Sequence, residues 1–183
     1  MKKLMLSIAI IMAMGMCGCA EKRIVQDTPK VTVKQEVEKV VEVPKVYKQG
    51  EEATMYDNSG KAMYSIKINK ATVANDFIYK SDFNPDTCKE IVAVSYTYKN
   101  IAKVDENKLR IGTENLTISD STGAVGVPSN AYQYEIPQSV PVGTSCTVLG
   151  HYALMNETNI IKVGFSSEAY SKNGQITFEI AVK

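Results

Sequence analysis

The order of apolar and polar residues divides the chain into three stretches. Leu4 to Met16 form a mainly apolar run, entered through Lys2 and Lys3. Residues 19–49 then interleave Val with Lys and Glu and include Pro29 and Pro44. From about Gly50 the apolar positions recur at every second residue, the period of a half-buried strand. Tyr64, Ile66 and Ile68 alternate with Ser65, Lys67 and Asn69, and Val92, Val94, Tyr96 and Tyr98 alternate with Ala93, Ser95 and Thr97. Shorter runs follow at Leu109–Ile111, Leu116–Ile118, Cys146–Leu154, Ile161–Phe165 and Ile176–Val182. Asp57-Asn58-Ser59-Gly60 and Ser119-Asp120-Ser121-Thr122-Gly123 are turn clusters between them. No stretch after the first run keeps a helical period over three turns. The pattern predicts an all-β domain over residues 50–183, an antiparallel β-sandwich of about seven or eight strands.

The first run has the layout of a secretory signal segment, a basic start followed by an apolar stretch too short to span a bilayer. It ends in Met16-Cys17-Gly18-Cys19, which resembles a bacterial lipobox, with Gly18 at the cleavage position and Cys19 as the lipidated residue. The resemblance implies removal of residues 1–18 and a diacylglycerol thioether on Cys19. The expected location is the outer face of the cytoplasmic membrane, with the membrane itself as partner. Several acyl chains anchor stably where one is marginal. Loss of Lys2 and Lys3 takes the formal balance from +1 to −1, so no basic face is expected and nucleic acid is not an expected partner.

Residues 19–49 read as an extended, solvated tether. Val favours extended backbone, and the two prolines oppose a continuous helix. About 30 residues at roughly 3.3 Å each reach on the order of 100 Å. The alternative reading pairs Val31 to Val43 as a strand or makes it a short coiled segment with a partner.

Two cysteines remain after processing, Cys88 and Cys146. An even pair in an oxidising compartment predicts a disulfide, which in the chain-entropy account is worth about 4 kcal/mol for so long a loop. Cys88 shares the parity of Val92 and Val94, and Cys146 that of Val148, so both thiols are expected to face the core.

The strand Ile91-Val92-Ala93-Val94-Ser95-Tyr96-Thr97-Tyr98-Lys99-Asn100 resembles a recurrent strand of bacterial lipoprotein domains of unknown function. The segment Val140-Pro141-Val142-Gly143-Thr144-Ser145, followed by a strand and Ile161-Lys162-Val163-Gly164-Phe165, is similar to the same families. Their order resembles the telokin-like sandwich and the mycobacterial immunoprotective extracellular antigen. The resemblance covers about residues 50–183 and implies an Ig-like fold with no transferable catalytic residues. The chain has no Trp, so the core Trp of an antibody-type domain is missing.

Chemistry-bearing residues are sparse. His151 is the single histidine; its parity is opposite to that of Cys146, on the outer face of its strand, and no G-x-S-x-G elbow accompanies it. Asp82, Asn84 and Asp86 open like a calcium loop, but Thr87 stands where Gly is needed and Ala93 where a bidentate Glu is needed. No metal or other cofactor is expected, and no catalytic residue is assigned. Asn115-Leu116-Thr117 and Asn156-Glu157-Thr158 match the glycosylation sequon by chance. Phe77, Tyr79 and Phe83 in one loop, and Tyr132 and Tyr134 in another, are candidate binding residues, since aromatic side chains give contact area at low entropic cost. Tyr79 and Tyr132 are the expected exposed members.

These features predict a non-enzymatic, membrane-anchored extracytoplasmic lipoprotein whose sandwich presents loops to an extracellular protein or envelope polymer. An assembly element of an envelope complex is the alternative, and a carboxylate-only hydrolase ranks behind both. A binding module should show an exposed aromatic patch on loops at one end of the sandwich.

Overall fold

The computed structural model describes residues 45–102, 109–165 and 175–183. All of them belong to one compact unit. The expected signal segment, Cys19 and most of the tether lie outside the described residues.

Nine strands form among these residues: β1 (Val46–Lys48), β2 (Glu52–Tyr56), β3 (Ala62–Val73), β4 (Glu90–Asn100), β5 (Leu116–Ser119), β6 (Val127–Pro128), β7 (Ser145–Leu154), β8 (Ile160–Phe165) and β9 (Ile176–Ala181). They make a two-sheet, all-β sandwich of Ig-like type, one sheet ordered β1-β9-β8-β5 and the other β2-β3-β4-β7-β6. Single 3-10 turns occupy Lys80–Asp82 and Thr113–Asn115.

The alternation seen in the sequence sets which side chains meet. Val92, Val94, Tyr96 and Tyr98 of β4, Val148 and Tyr152 of β7, Ile161 and Val163 of β8, and Phe178 and Ile180 of β9 all point between the sheets and are inaccessible to solvent. Tyr64 of β3 meets Phe165 of β8 edge to face at 6.2 Å across the two layers. The period breaks once in β3, where the pairing with β4 shifts between Ile68 and Lys70. A bulge there flips the phase, so Ile66 and Ile68 face the core before it and Ala71 after it. The bulged Asn69 donates its amide N–H to Thr97 Oγ1 at 2.9 Å.

Three core tyrosines end on backbone carbonyls. Tyr96 donates to Ile111 O at 3.0 Å, Tyr152 to Thr113 O at 3.2 Å, and Tyr98 to Gln138 O. Burial pushes the Tyr96 and Tyr152 hydroxyls well above the usual phenol range, so they stay neutral donors.

Pairing is not wholly antiparallel. β1 lies parallel to β9, Tyr47 opposite Phe178, so strand pairing starts four residues before the expected boundary at residue 50. Tyr47 packs on Phe178 with ring centroids 5.3 Å apart.

The disulfide is overturned: Cys88 and Cys146 are both free. The register explains why. β4 and β7 are antiparallel, with Tyr98 opposite Cys146 and Glu90 opposite Leu154. Cys88 therefore sits beyond one end of this ladder and Cys146 near the other, about 30 Å away at roughly 3.3 Å per residue, whereas a disulfide needs Cα atoms within about 7 Å. The shared inward orientation fails as well. β4 begins only at Glu90, so its alternation does not extend back to Cys88, which packs on the outer face of the sheet.

Candidate functional site

The segment joining β3 to β4 does not hang free. Residues 74–88 form a strap folded onto the outer face of the five-stranded sheet, where Ala74, Phe77 and Phe83 bury themselves against Ala93 of β4 and Ala153 of β7. Half-buried Cys88, Ile91 and Leu149 complete this second core. Small alanines on the sheet leave room for the two phenylalanines. Asn84 tightens the strap's return, accepting from the Asp86 N–H with its side chain and from the Cys88 N–H with its carbonyl.

His151 lies under the strap. It faces outward on β7, opposite Ala93, yet it is only 3% exposed, because Phe77 stacks on its ring at 3.9 Å and 14°. Its Nδ1 has no hydrogen-bond partner. Burial lowers its pKa, and the Asp76 carboxylate opposes that only in part. A catalytic base needs a nucleophile within hydrogen-bond reach and a third group orienting it. Cys88 shares the cluster, but its Sγ–H points to Glu90 O at 3.6 Å, and burial pushes that thiol upward in pKa. The pair is not an activated dyad.

The two aromatic loops meet. The Ile78 N–H donates to Gln133 Oε1 at 3.3 Å, and Gln133 Nε2 donates to Tyr134 Oη at 2.7 Å. Beside β7 the 129–135 segment is pinned by Ser129 N–H to His151 O and by Leu149 N–H to Glu135 O. Ile78 and Tyr79 on one of these segments, and Tyr134 and Ile136 on the other, are exposed apolar side chains, with Ile78 and Tyr134 each 63% accessible. Sequence reasoning missed Ile78 and Ile136, because neither is aromatic and the contact between the loops is tertiary.

The five candidate aromatics therefore divide. Tyr79 and Tyr134 are exposed, Tyr132 is half-buried, and Phe77 and Phe83 are buried. Tyr132 Oη accepts the Thr113 N–H at 3.1 Å, which ties it to the turn under the core tyrosines. The strap that carries Phe77, Ile78 and Tyr79 turns back over the outer face of the five-stranded sheet.

Grooves flank the strap on both sides. One of about 920 Å³ is bordered by Val73, Lys80, Phe83, Lys89, Glu90 and Ile91. A second of about 330 Å³ shares Phe83 and Cys88 and adds Val127, Ala153 and Met155. Two polar heads at the first groove serve the scaffold: Lys80 Nζ donates to Asn75 O at 3.3 Å, and Glu90 Oε2 accepts the Thr158 N–H at 3.1 Å. Among the described residues no three His, Cys, Asp or Glu side chains converge as a metal site. No helix among them is long and apolar enough to cross a membrane.

No protein-family model matches the chain, and a search of curated proteins finds no match. Solved structures do match at the level of fold. The secreted protein MPT63 of Mycobacterium tuberculosis superposes with a TM-score of 0.54 at 12% identity, over 76% of this chain and 98% of that one. YcdA of Bacillus subtilis, a candidate lipoprotein, gives 0.53 at 14% identity, over 73% of this chain and 38% of its own. At such identities the likeness establishes the shared sandwich. It supports the fold implied by the resemblance in the sequence, without membership of a particular family.

Proposed function

We propose that the chain is a lipid-anchored extracytoplasmic protein whose Ig-like domain is a non-enzymatic binding module. The surface of Ile78, Tyr79, Tyr134 and Ile136 is its binding face. One observation carries the reading: the Ile78 N–H donates to Gln133 Oε1, joining two separate loops whose apolar side chains are exposed. Rigid, pre-organised aromatic anchors lose little entropy on binding. The partner is an extracellular protein, since alternating Ile and Tyr suit a protein interface core. Anchoring rests on the Gly18-Cys19 signal, and secreted and lipoprotein relatives in fold agree with that location.

Two measurements test the halves of the reading separately. Intact mass and membrane partition, with and without Cys19→Ala, test the anchor: acyl mass on Cys19 and release of the variant are expected, and an unacylated secreted chain sinks the anchor. A photo-crosslinking residue placed at Tyr134, compared with one at Lys162 on the opposite sheet, tests the face. A discrete adduct at 134, lost with Ile78→Ser, is expected. Equal labelling at both positions removes the binding face.

A further inference from the structure

His151 is the one buried group in the described residues whose polar atom has no use in the fold. Its Nδ1 is unpartnered, and its ring is sandwiched between the sheet and Phe77. In a neutral imidazole one nitrogen donates and the other accepts, so an idle Nδ1 is tolerable. In an imidazolium both nitrogens are donors, and a buried N–H without an acceptor is costly. The Phe77 face returns some cation–π attraction, and Asp76 also favours the cation, but burial outweighs them.

The surroundings offer little further relief. From the strap, Asp76 is the charge that acts on the ring, and Cys88 shares the cluster as a neutral thiol. From β4 the outward residues near the ring are Ile91, Ala93 and Ser95, and from β7 they are Leu149 and Ala153, none of them charged; the outward Lys99 lies six residues along β4 from Ala93, the residue opposite His151. The 129–135 segment brings Glu135, whose side chain is exposed to solvent.

We propose that His151 makes the strap an acid-operated latch: protonation expels Phe77 and releases residues 74–88 from the sheet. The sign follows from linkage. In the closed state the His151 pKa is depressed, whereas in the open state it is the ordinary 6.5 of an exposed imidazole. The open state therefore binds more protons as pH falls below 6.5, and acid favours opening. Because the strap carries Ile78 and Tyr79, opening also dismantles the exposed surface. That consequence rests on the reading of the surface as the binding face; the latch does not.

Hydrogen exchange on the full chain between about pH 8 and pH 5 tests it, with protection corrected for the intrinsic pH dependence. The Phe83 and Cys88 amides, bonded to Lys80 O and Asn84 O, should lose protection as the pH falls below 6.5, while β8 and β9 stay constant. His151→Phe keeps an aromatic ring under Phe77 without a titrating nitrogen and should remove the pH response. Asp76→Asn should deepen the acid loss, since it takes away a group favouring the closed cation. The latch is overturned by a strap whose protection is flat with pH, by a response that survives His151→Phe, or by one abolished in Asp76→Asn. A His151 ring resonance that titrates at or above 6.5 with the strap closed overturns it as well. If the strap opens but crosslinking at Tyr134 is unchanged, the latch stands and the binding face falls.

Discussion

At the scale of single residues, Asp120 shows how a polar side chain holds a loop-rich edge together. It is 2% exposed and every approach to it is a donor. Oδ1 accepts from the Thr122 N–H, the Thr122 hydroxyl and the Ala124 N–H, and Oδ2 accepts from Asn156 Nδ2 at 2.8 Å. Burial by itself would raise the Asp120 pKa, but the Thr122 and Asn156 side chains and the backbone donors together hold it below the ordinary 3.8. The carboxylate thus ties the β5–β6 turn to the β7–β8 turn, and it occupies the Asn156 amide that a sequon would offer. Asp120→Ala is expected to cost about 2 kcal/mol at neutral pH, because several donors lose their acceptor. The contribution of a group with a depressed folded pKa is complete above its unfolded value and is lost as pH falls through the folded one. Urea melts of both proteins should therefore differ most at neutral pH and draw together as the pH falls below the ordinary 3.8. A gap that persists into strong acid would show that the charge is not what the donors need.

At the scale of elements, β7 carries the tightest constraint. Gly150 faces the core between Val148 and Tyr152. A Cβ there would lie 2.5 Å from Thr113 Cγ2 and 3.1 Å from the Tyr152 ring. Thr113 cannot yield, since its hydroxyl donates to Ser129 O and its N–H to Tyr132 Oη. Gly150→Ala is expected to destabilise by about 1–3 kcal/mol through overpacking, visible as a lowered denaturation midpoint at unchanged slope. Sequence alternation made much of this level legible: the inward sets of β4, β8 and β9 were readable from period two alone. What stayed hidden is non-local. The alternating Ala93, His151 and Ala153 look like a solvent face, because nothing in β4 or β7 announces that Phe77 and Phe83 will cover it. β6 is only Val127–Pro128 and leaves no period to read. Cys88 misleads because it precedes its strand by two residues, and only the β4–β7 register separates it from Cys146. Tyr79 and Tyr134 were visible as candidate binding residues, whereas their union through Gln133 depends on where two loops happen to meet.

At the scale of the molecule, the sandwich protects its edges by letting the chain cross between sheets. On one side, Val125 bridges to Ser119 of the four-stranded sheet, and Val127 then pairs with Ala153 of the five-stranded one. On the other, Val73 N–H donates to Lys183 O and Lys183 N–H to Ala71 O, joining the end of β3 to the chain just past β9. β1 and β2 make a third crossing, one in each sheet, with the Gly50 N–H donating to Ile68 O between them. That crossing bears on where the tether stops. Lys48 pairs with Glu179 at 2.6 Å, and Lys45 lies 4.2 Å over the Tyr47 ring, but exposed contacts of this kind are worth little. The weight falls on Tyr47 against Phe178, half-buried, for about 1 kcal/mol, and on a parallel ladder that covers the β9 edge. A chain begun at residue 50 is therefore expected to be about 1–3 kcal/mol less stable than one begun at residue 45 and to associate through its bared edge. Tyr47→Ala in the longer chain should reproduce part of the stability loss without the association, because the ladder survives. Denaturant melts and sedimentation of the three proteins decide the point. Equal stability would return residues 45–49 to the tether, and a deficit confined to the chain begun at residue 50 would assign the effect to the backbone ladder rather than to the ring.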